Sequence, residues 1–256
     1  MLLENSNRDI MYTLIRKIRK KLIDQGKLRN YLFYSIGEII LVVIGILIAL
    51  QINSLNQKKL DKDAATNVLY RLIQDVDADY NRLIYIDSTY TKNLENIREV
   101  YTILSMDKIE STEQLEKVAF FSGADIKDVN SVRATFDEMI NTGSIYKLEN
   151  QSLINQTIEY YRLVDDNTYQ SREDRREFRN LFYGPELLDY WYIRSASKNN
   201  LELAKNFFSD NNSDGYKRIV QSSNWSGGLI SRGKNRNTLL IEKNRALKNL
   251  LELEIK

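Results

Sequence analysis

Hydrophobic and polar positions fall into three regimes along the chain. From Tyr31 to Ile52 the run YLFYSIGEIILVVIGILIALQI holds a single ionisable residue, Glu38, and twelve uncharged residues from Ile39 to Leu50 follow it without a polar side chain. At 1.5 Å rise per residue this run makes about 33 Å of helix, enough for a hydrocarbon core about 30 Å thick. The pattern predicts a transmembrane helix over 31–53. Before it, IMYTLIRKIRKKLID sets Ile10, Met11, Leu14, Ile15, Ile18 and Leu22 on one helical face and Arg16, Lys17, Arg19, Lys20 and Lys21 on the other. That is the pattern of a basic amphipathic segment, 1–30, lying in the membrane interface with its cations on lipid headgroups. A solvated basic tail that serves only as a topology signal is the alternative.

Beyond the span the period changes. Leu69, Leu72, Val76, Tyr80, Leu83, Ile86, Tyr90, Leu94, Ile97, Tyr101 and Leu104 recur at a mean spacing of 3.5, the period of a helix burying one seam against partner helices. Strands would alternate with period 2. No proline occurs before Pro185, so the span is predicted to continue into one long helix. A connector over 105–130 carries a short helix, with Ser111 and Gln114 at capping-box spacing and a stop at Ser122-Gly123. SVRATFDEMINTG follows, with Asn130 as expected N-cap and Gly143 as C-terminal cap. A longer pattern runs from Asn150 to Phe182 and is closed by Gly184-Pro185. Helical patterns in 186–208 and 237–255 are separated by the loop DNNSDG and by SNWSGG, read as a turn. The fold class expected is all-α: an N-terminal transmembrane helix continuing into a long helix and an antiparallel helical bundle, with 54–256 as one domain.

Charge sets the orientation. Residues 1–30 hold eight bases against the acids Glu4, Asp9 and Asp24, whereas Lys58, Lys59 and Lys62 beyond the span are partly offset by Asp61 and Asp63. Basic residues beside a span resist translocation, which places the N-terminus in the cytoplasm and 54–256 outside it. A cleavable signal peptide fits poorly, because its basic region is short and ALQINSLNQ lacks the small-residue cleavage pattern. The exported part is mildly acidic and gives no footprint for nucleic acid. Membrane lipid is the expected partner of the basic leader.

With no histidine and no cysteine, the chain has no Ser-His-Asp or Cys-His site, zinc finger, thiol redox motif or disulfide. No spacing lifts a Ser-Lys or carboxylate pair above chance, so neither an enzyme nor a cofactor is expected.

The run RKIRKKLIDQGKLRNYLFYSIGEIILVVIGILIALQINSLN, followed by VLYRLIQDVDADYNRL and ATFDEMINTGSIYKLENQSLINQTIEYY, resembles an uncharacterised family of small single-pass anchored proteins of Bacteroidetes, most closely in GEIILVVIGILIALQIN. The resemblance implies an inner-membrane protein of a didermic bacterium and no assigned activity. The family's aromatic residue in QINxWN is Leu55 here.

Four features are candidates for function. Glu38, Gly45, Ala49, Ile52 and Asn56 lie within about 60° of one another on a helix, so one face of the span carries an acid and a small-xxx-small pair. Such a face suits transmembrane helix packing, and a proton-handling carboxylate in an ion-driven complex is the sharper alternative. The loop Asp210-Asn211-Asn212-Ser213-Asp214-Gly215 matches the first half of a calcium loop but has Gln221 at position 12, so an ordinary turn is preferred. The aromatic group Phe178, Phe182, Tyr183, Tyr190, Trp191 and Tyr192 suits core packing, with a ligand pocket or partner surface as alternative. SREDRREFR is read as a solvated helix face. The function expected is a structural or accessory subunit of an envelope complex, a homo-oligomer or a companion of other membrane subunits. A periplasmic sensor or ligand-binding module signalling through a separate partner is the alternative.

Overall fold

The structure is a computed structural model that describes Thr13, Arg16, Lys17, Lys20 and Lys21 and residues 28–106, 108–184 and 187–255. Among them are seven α-helices, one 3-10 turn and no strand: α1 (Leu28–Leu104), α2 (Thr112–Ala119), α3 (Ala134–Asn141), the turn Ser144–Lys147, α4 (Gln151–Phe182), α5 (Leu188–Ala196), α6 (Leu201–Ser209) and α7 (Asp214–Ile255). The all-α expectation holds, and the apolar N-terminal run is helical without a break into the period-3.5 region. The chain divides into two units, Met1–Ala64 and Ala65–Lys256.

In the first unit, the helix from Leu32 onward is long and apolar enough to cross a membrane, and its most apolar window, of mean hydropathy 2.5, has 0% of its residues buried. It has the character of a single-pass membrane anchor. Arg16, Lys17, Lys20 and Lys21 are helical and exposed. Arg19 and the apolar positions from Ile10 to Leu22 lie outside the described residues, as does Pro185.

The second unit is built on three long helices. Lys248 bonds Asp77 at 2.7 Å near one end and the Tyr216 hydroxyl donates to Leu104 C=O at 2.6 Å at the other, so α7 runs antiparallel to α1. Asn150 to Glu254 and Trp225 to Glu177, both 2.8 Å, set α7 antiparallel to α4 as well. Each helix presents a heptad seam: Leu69, Leu72, Val76, Asp79, Leu83, Ile86 and Tyr90 of α1 are all buried. The predicted seam departs from this at Tyr80, half-buried beside buried Asp79, and again at Tyr101, although Leu104 is buried as expected. Tyr101 is exposed and Val100 and Ile103 are buried in its place, because an uncoiled helix drifts about 20° per heptad from an exact 3.5 repeat.

SNWSGG is not a turn. It lies inside α7, which begins at Asp214 instead of near 237. A Cβ on Gly227 would stand 3.3 Å from Ile97, and one on Gly233 would stand 3.1 Å from the Tyr90 ring. Gly227 and Gly233 thus leave room on α7 for the Ile97 and Tyr90 side chains of α1. Small residues here serve close packing, and the tertiary contact outweighs the roughly 1 kcal/mol helix penalty of each glycine.

The local caps behave largely as predicted. Ser111 accepts the Gln114 N–H, while the Gln114 side chain accepts the Glu110 N–H. Asn150 accepts the Leu153 N–H. Gly143 takes the left-handed φ of +69° that ends α3. Asn130 is different. It sits at φ +44° and does not cap α3, whose N-cap Arg133 makes no side-chain cap bond.

Candidate functional site

The three span residues singled out by sequence are exposed in this chain. A Cβ added to Gly45 would meet nothing within 4 Å. No described residue bonds to Glu38. The face that carries the acid and the small pair is therefore exposed, and no described residue is bonded to its acid.

The missing cap of α3 leads to the most elaborate polar site. Asp79 on α1 accepts the Val132 N–H at 2.7 Å and Asp75, one helical turn earlier, accepts the Thr135 N–H at 3.1 Å. Two carboxylates of another helix thus take the place of a local N-cap, at the end of α3 where its dipole favours negative charge. Asp79 is fully buried and also accepts from the Tyr160 hydroxyl at 2.9 Å. Tyr160 in turn accepts from Asn244, whose amide reaches Val76 C=O at 2.9 Å. One heptad along, Asn237 donates to Leu83 C=O at 2.9 Å. Burial raises the Asp79 carboxyl above its ordinary range, against the lowering effect of the Val132 N–H. Burial also raises the Tyr160 hydroxyl.

This network belongs to a longer arrangement that sequence reasoning missed. Between α2 and α3 the segment from Phe121 to Val132 has no regular structure and, among the described residues, no backbone–backbone hydrogen bond. It crosses the bundle as a strap whose peptide groups are held by side chains. Tyr190 donates to Phe121 C=O at 2.5 Å and Asn93 to Asp125 C=O at 3.3 Å. The Tyr90 hydroxyl donates to Lys127 C=O at 3.2 Å and accepts the Lys127 N–H at 3.3 Å. Arg175 grips Asp128 through both carboxylate oxygens at 2.7 and 2.6 Å. Gly123, at φ +76°, passes so close to Phe178 that a Cβ there would stand 2.5 Å from its ring.

The strap recasts two candidates. The charged run is not a purely solvated face: Arg175 holds the strap, and Asp174, only 7% exposed, pairs with Arg232 and Arg236 of α7. The spacing within the run shows only its own i to i+4 pairs, whereas these partners come from the strap and α7. Of the aromatic group, Phe178, Phe182 and Tyr190 are core, Tyr183 stacks on Trp191 with centroids 4.7 Å apart, and Tyr192 is exposed. The weak signals for the strap were Ser122-Gly123 and the absence of helical period over 121–131.

Two grooves flank the strap. One, of about 510 Å³, lies against α1 with Arg82, Tyr85 and Lys127 on its walls. The other, of about 390 Å³, lies over the end of α4 with Phe178, Arg179 and Tyr183. Asp125, Ile126 and Arg175 line both. Among the described residues no group of three or more acids is placed to hold a metal ion. In the 210–215 loop, Asp210 spends its carboxylate on the Asn212 N–H at 3.0 Å and its carbonyl on Ser213, an Asx turn leading into α7.

No family model, curated protein or solved structure matches the chain.

Proposed function

We propose that the chain is a structural or accessory subunit of a bacterial envelope complex that works through helix–helix association, with its N-terminus cytoplasmic, its span in the inner membrane and 54–256 in the periplasm. One observation carries the reading: Glu38, Gly45 and Ala49 share an exposed face of the span, and a Cβ on Gly45 would meet nothing among the described residues. A carboxylate in a span costs about 2.5–3.5 kcal/mol at the helix centre unless it pairs or faces water. Small residues on the same face allow the close backbone approach that transmembrane pairing uses. The basic leader and its headgroup contacts at Arg16, Lys17, Arg19, Lys20 and Lys21 support the orientation, and the anchor motif supports membership of the Bacteroidetes family that it resembles. The reading involves no catalysis and no nucleic acid.

Because the chain lacks cysteine, single cysteines can report the interface directly. Ala49→Cys should crosslink in native membranes to a second copy or to a companion subunit, and Leu47→Cys, on the opposite side of the helix, should not. Equal crosslinking at both positions, or recovery of monomer alone with no co-purifying protein, would defeat the proposal. The sensor or ligand-binding alternative draws on the grooves beside the strap. The ion-driven alternative draws on Glu38: Glu38→Gln should then abolish ion-driven work by the partner while leaving assembly intact.

A further inference from the structure

Opposite its buried seam, α1 carries a second stripe that faces outward. Taking about 100° per residue, Asn67, Tyr70, Ala78, Asn81, Tyr85 and Ser88 lie within about 40° of Gln74, whereas Leu72, Val76 and Leu83 of the seam lie about 160–180° from it. All seven stripe residues are exposed. From Asn67 to Ser88 they recur at a mean spacing of 3.5, the period of the seam itself, so the stripe offers a partner helix the repeat that helix pairing uses.

The stripe bears no charge, in a unit where residues 65–256 hold 26 bases and 29 acids. The exposed faces of the other long helices are charged, at Arg162, Asp166 and Arg172 of α4 and at Lys217, Glu242 and Arg245 of α7. The charges that flank the stripe on α1 are turned to neighbours within the chain: Arg71 grips Glu138 of α3 at 2.7 and 2.8 Å, and Asp77 pairs with Lys248 of α7 at 2.7 Å. Between them, Asn67, Gln74 and Asn81 recur every seven residues. Their amides have no partner among the described residues.

In a parallel two-fold pair of helices, each residue near the axis meets the same residue of the other copy. An amide both donates and accepts and so can bond its own counterpart, whereas a carboxylate or an ammonium set against its own kind repels. A face cleared of charge and set with amides at heptad spacing is complementary to itself. A face shaped for a different protein would draw its specificity from charges opposite to those of that partner. Ala78 leaves room for close approach, and Tyr70 and Tyr85, 52% and 63% exposed, supply ring area.

We propose that a second copy of this chain docks on the outward face of α1 from Asn67 to Ser88, the two helices running parallel with Asn67, Gln74 and Asn81 each opposite its own counterpart. The parallel sense rests on the anchoring proposed above, which gives every copy in one membrane the same orientation. Three heptads make a small interface, and confinement to one membrane raises the effective concentration of the two copies.

The test uses the full chain in native membranes, with single cysteines as reporters and copper phenanthroline as oxidant, since the chain has no cysteine of its own. Ala78→Cys should give a disulfide-linked product that holds two copies of the chain and no other protein by mass spectrometry. Asp166→Cys, exposed on α4, should give little or none. Adding Gln74→Glu and Asn81→Glu to the Ala78 variant sets like charges against each other and should cut the product at least about tenfold. Co-expression with a chain carrying Ala78→Cys, Gln74→Lys and Asn81→Lys should restore it as a mixed dimer, which a misfolded chain would not form. The proposal is overturned by no product at Ala78, by a product with another protein in place of the second copy, by equal product at Asp166, by an undiminished product in the Glu variant, or by failure of the opposite charges to restore it. Crosslinking at Ala49 reads the span separately: product there without product at Ala78 defeats the stripe alone, and the reverse defeats the span interface alone.

Discussion

Substituting Gly123 by alanine tests whether the strap is held by close contact or merely lies on the bundle. At φ +76° an L side chain costs about 1–2 kcal/mol through its clash with the following carbonyl. The new Cβ would also stand 2.5 Å from two atoms of the Phe178 ring and 3.1 Å from Phe182. Phe178 is 8% exposed and Phe182 is fully buried, so neither ring can swing into solvent. Forcing one methyl into such packing costs about 1–3 kcal/mol. Gly123→Ala should therefore destabilise the second unit by about 2–5 kcal/mol by both effects. Gly143 supplies the matched control: its φ is +69° but a Cβ there meets nothing within 4 Å, so Gly143→Ala should cost only the backbone part, about 1–2 kcal/mol. Urea unfolding of the full chain in mild detergent, followed by far-UV circular dichroism, reads both as midpoint shifts at unchanged slope. Equal losses at the two glycines, or a cost below about 1 kcal/mol at Gly123, would show that the strap yields and that the contact with Phe178 is not confining.

Other substitutions probe the buried network, the long helix and the ion pairs. The folded Asp79 carboxyl lies above its unfolded value, so the folded state binds that proton more tightly. Its contribution is fully present below the unfolded range near about 4 and is lost as pH rises through the folded value. Wild type should therefore lose stability relative to Asp79→Asn as pH rises above about 4; a flat or opposite difference in unfolding midpoints would refute the assignment. Glu138, lowered by its bond to Arg71, acts in the opposite sense in both proteins and cancels. Gly228→Ala should stabilise by up to about 1 kcal/mol, since it sits inside α7 with nothing within 4 Å of its Cβ, whereas in a turn the change would be neutral or harmful; a thermal melt decides. Double-mutant cycles should give about 1 kcal/mol or more for Arg175–Asp128, whose carboxylate is 19% exposed, and about 0.2–0.5 kcal/mol for Arg162–Asp166, both more than 60% exposed. Equal couplings would show that burial adds nothing at the strap.

Elements with local causes were legible in the amino-acid order alone. Twelve uncharged residues in a row define the span, a 3.5 period defines most of the seam of α1 up to Ile97, and Ser111 and Gly143 cap the helices they were expected to cap. Each signal acts within a turn or two of helix, so it can be read without knowing what lies opposite. Tertiary structure decided the rest. Gly227 looks like a turn residue until α1 is brought against it. Asp75 and Asp79 look like one more acidic helix face until α3 presents its free N–H groups. The strap carries no period of its own, and the peptide groups of Lys127, Asp125 and Phe121 are bonded by Tyr90, Asn93 and Tyr190, the last of them 69 residues away along the chain from Phe121. A hydrogen-bond partner or steric limit supplied by a distant segment leaves no spacing in the sequence, and only the packed bundle brings the two together.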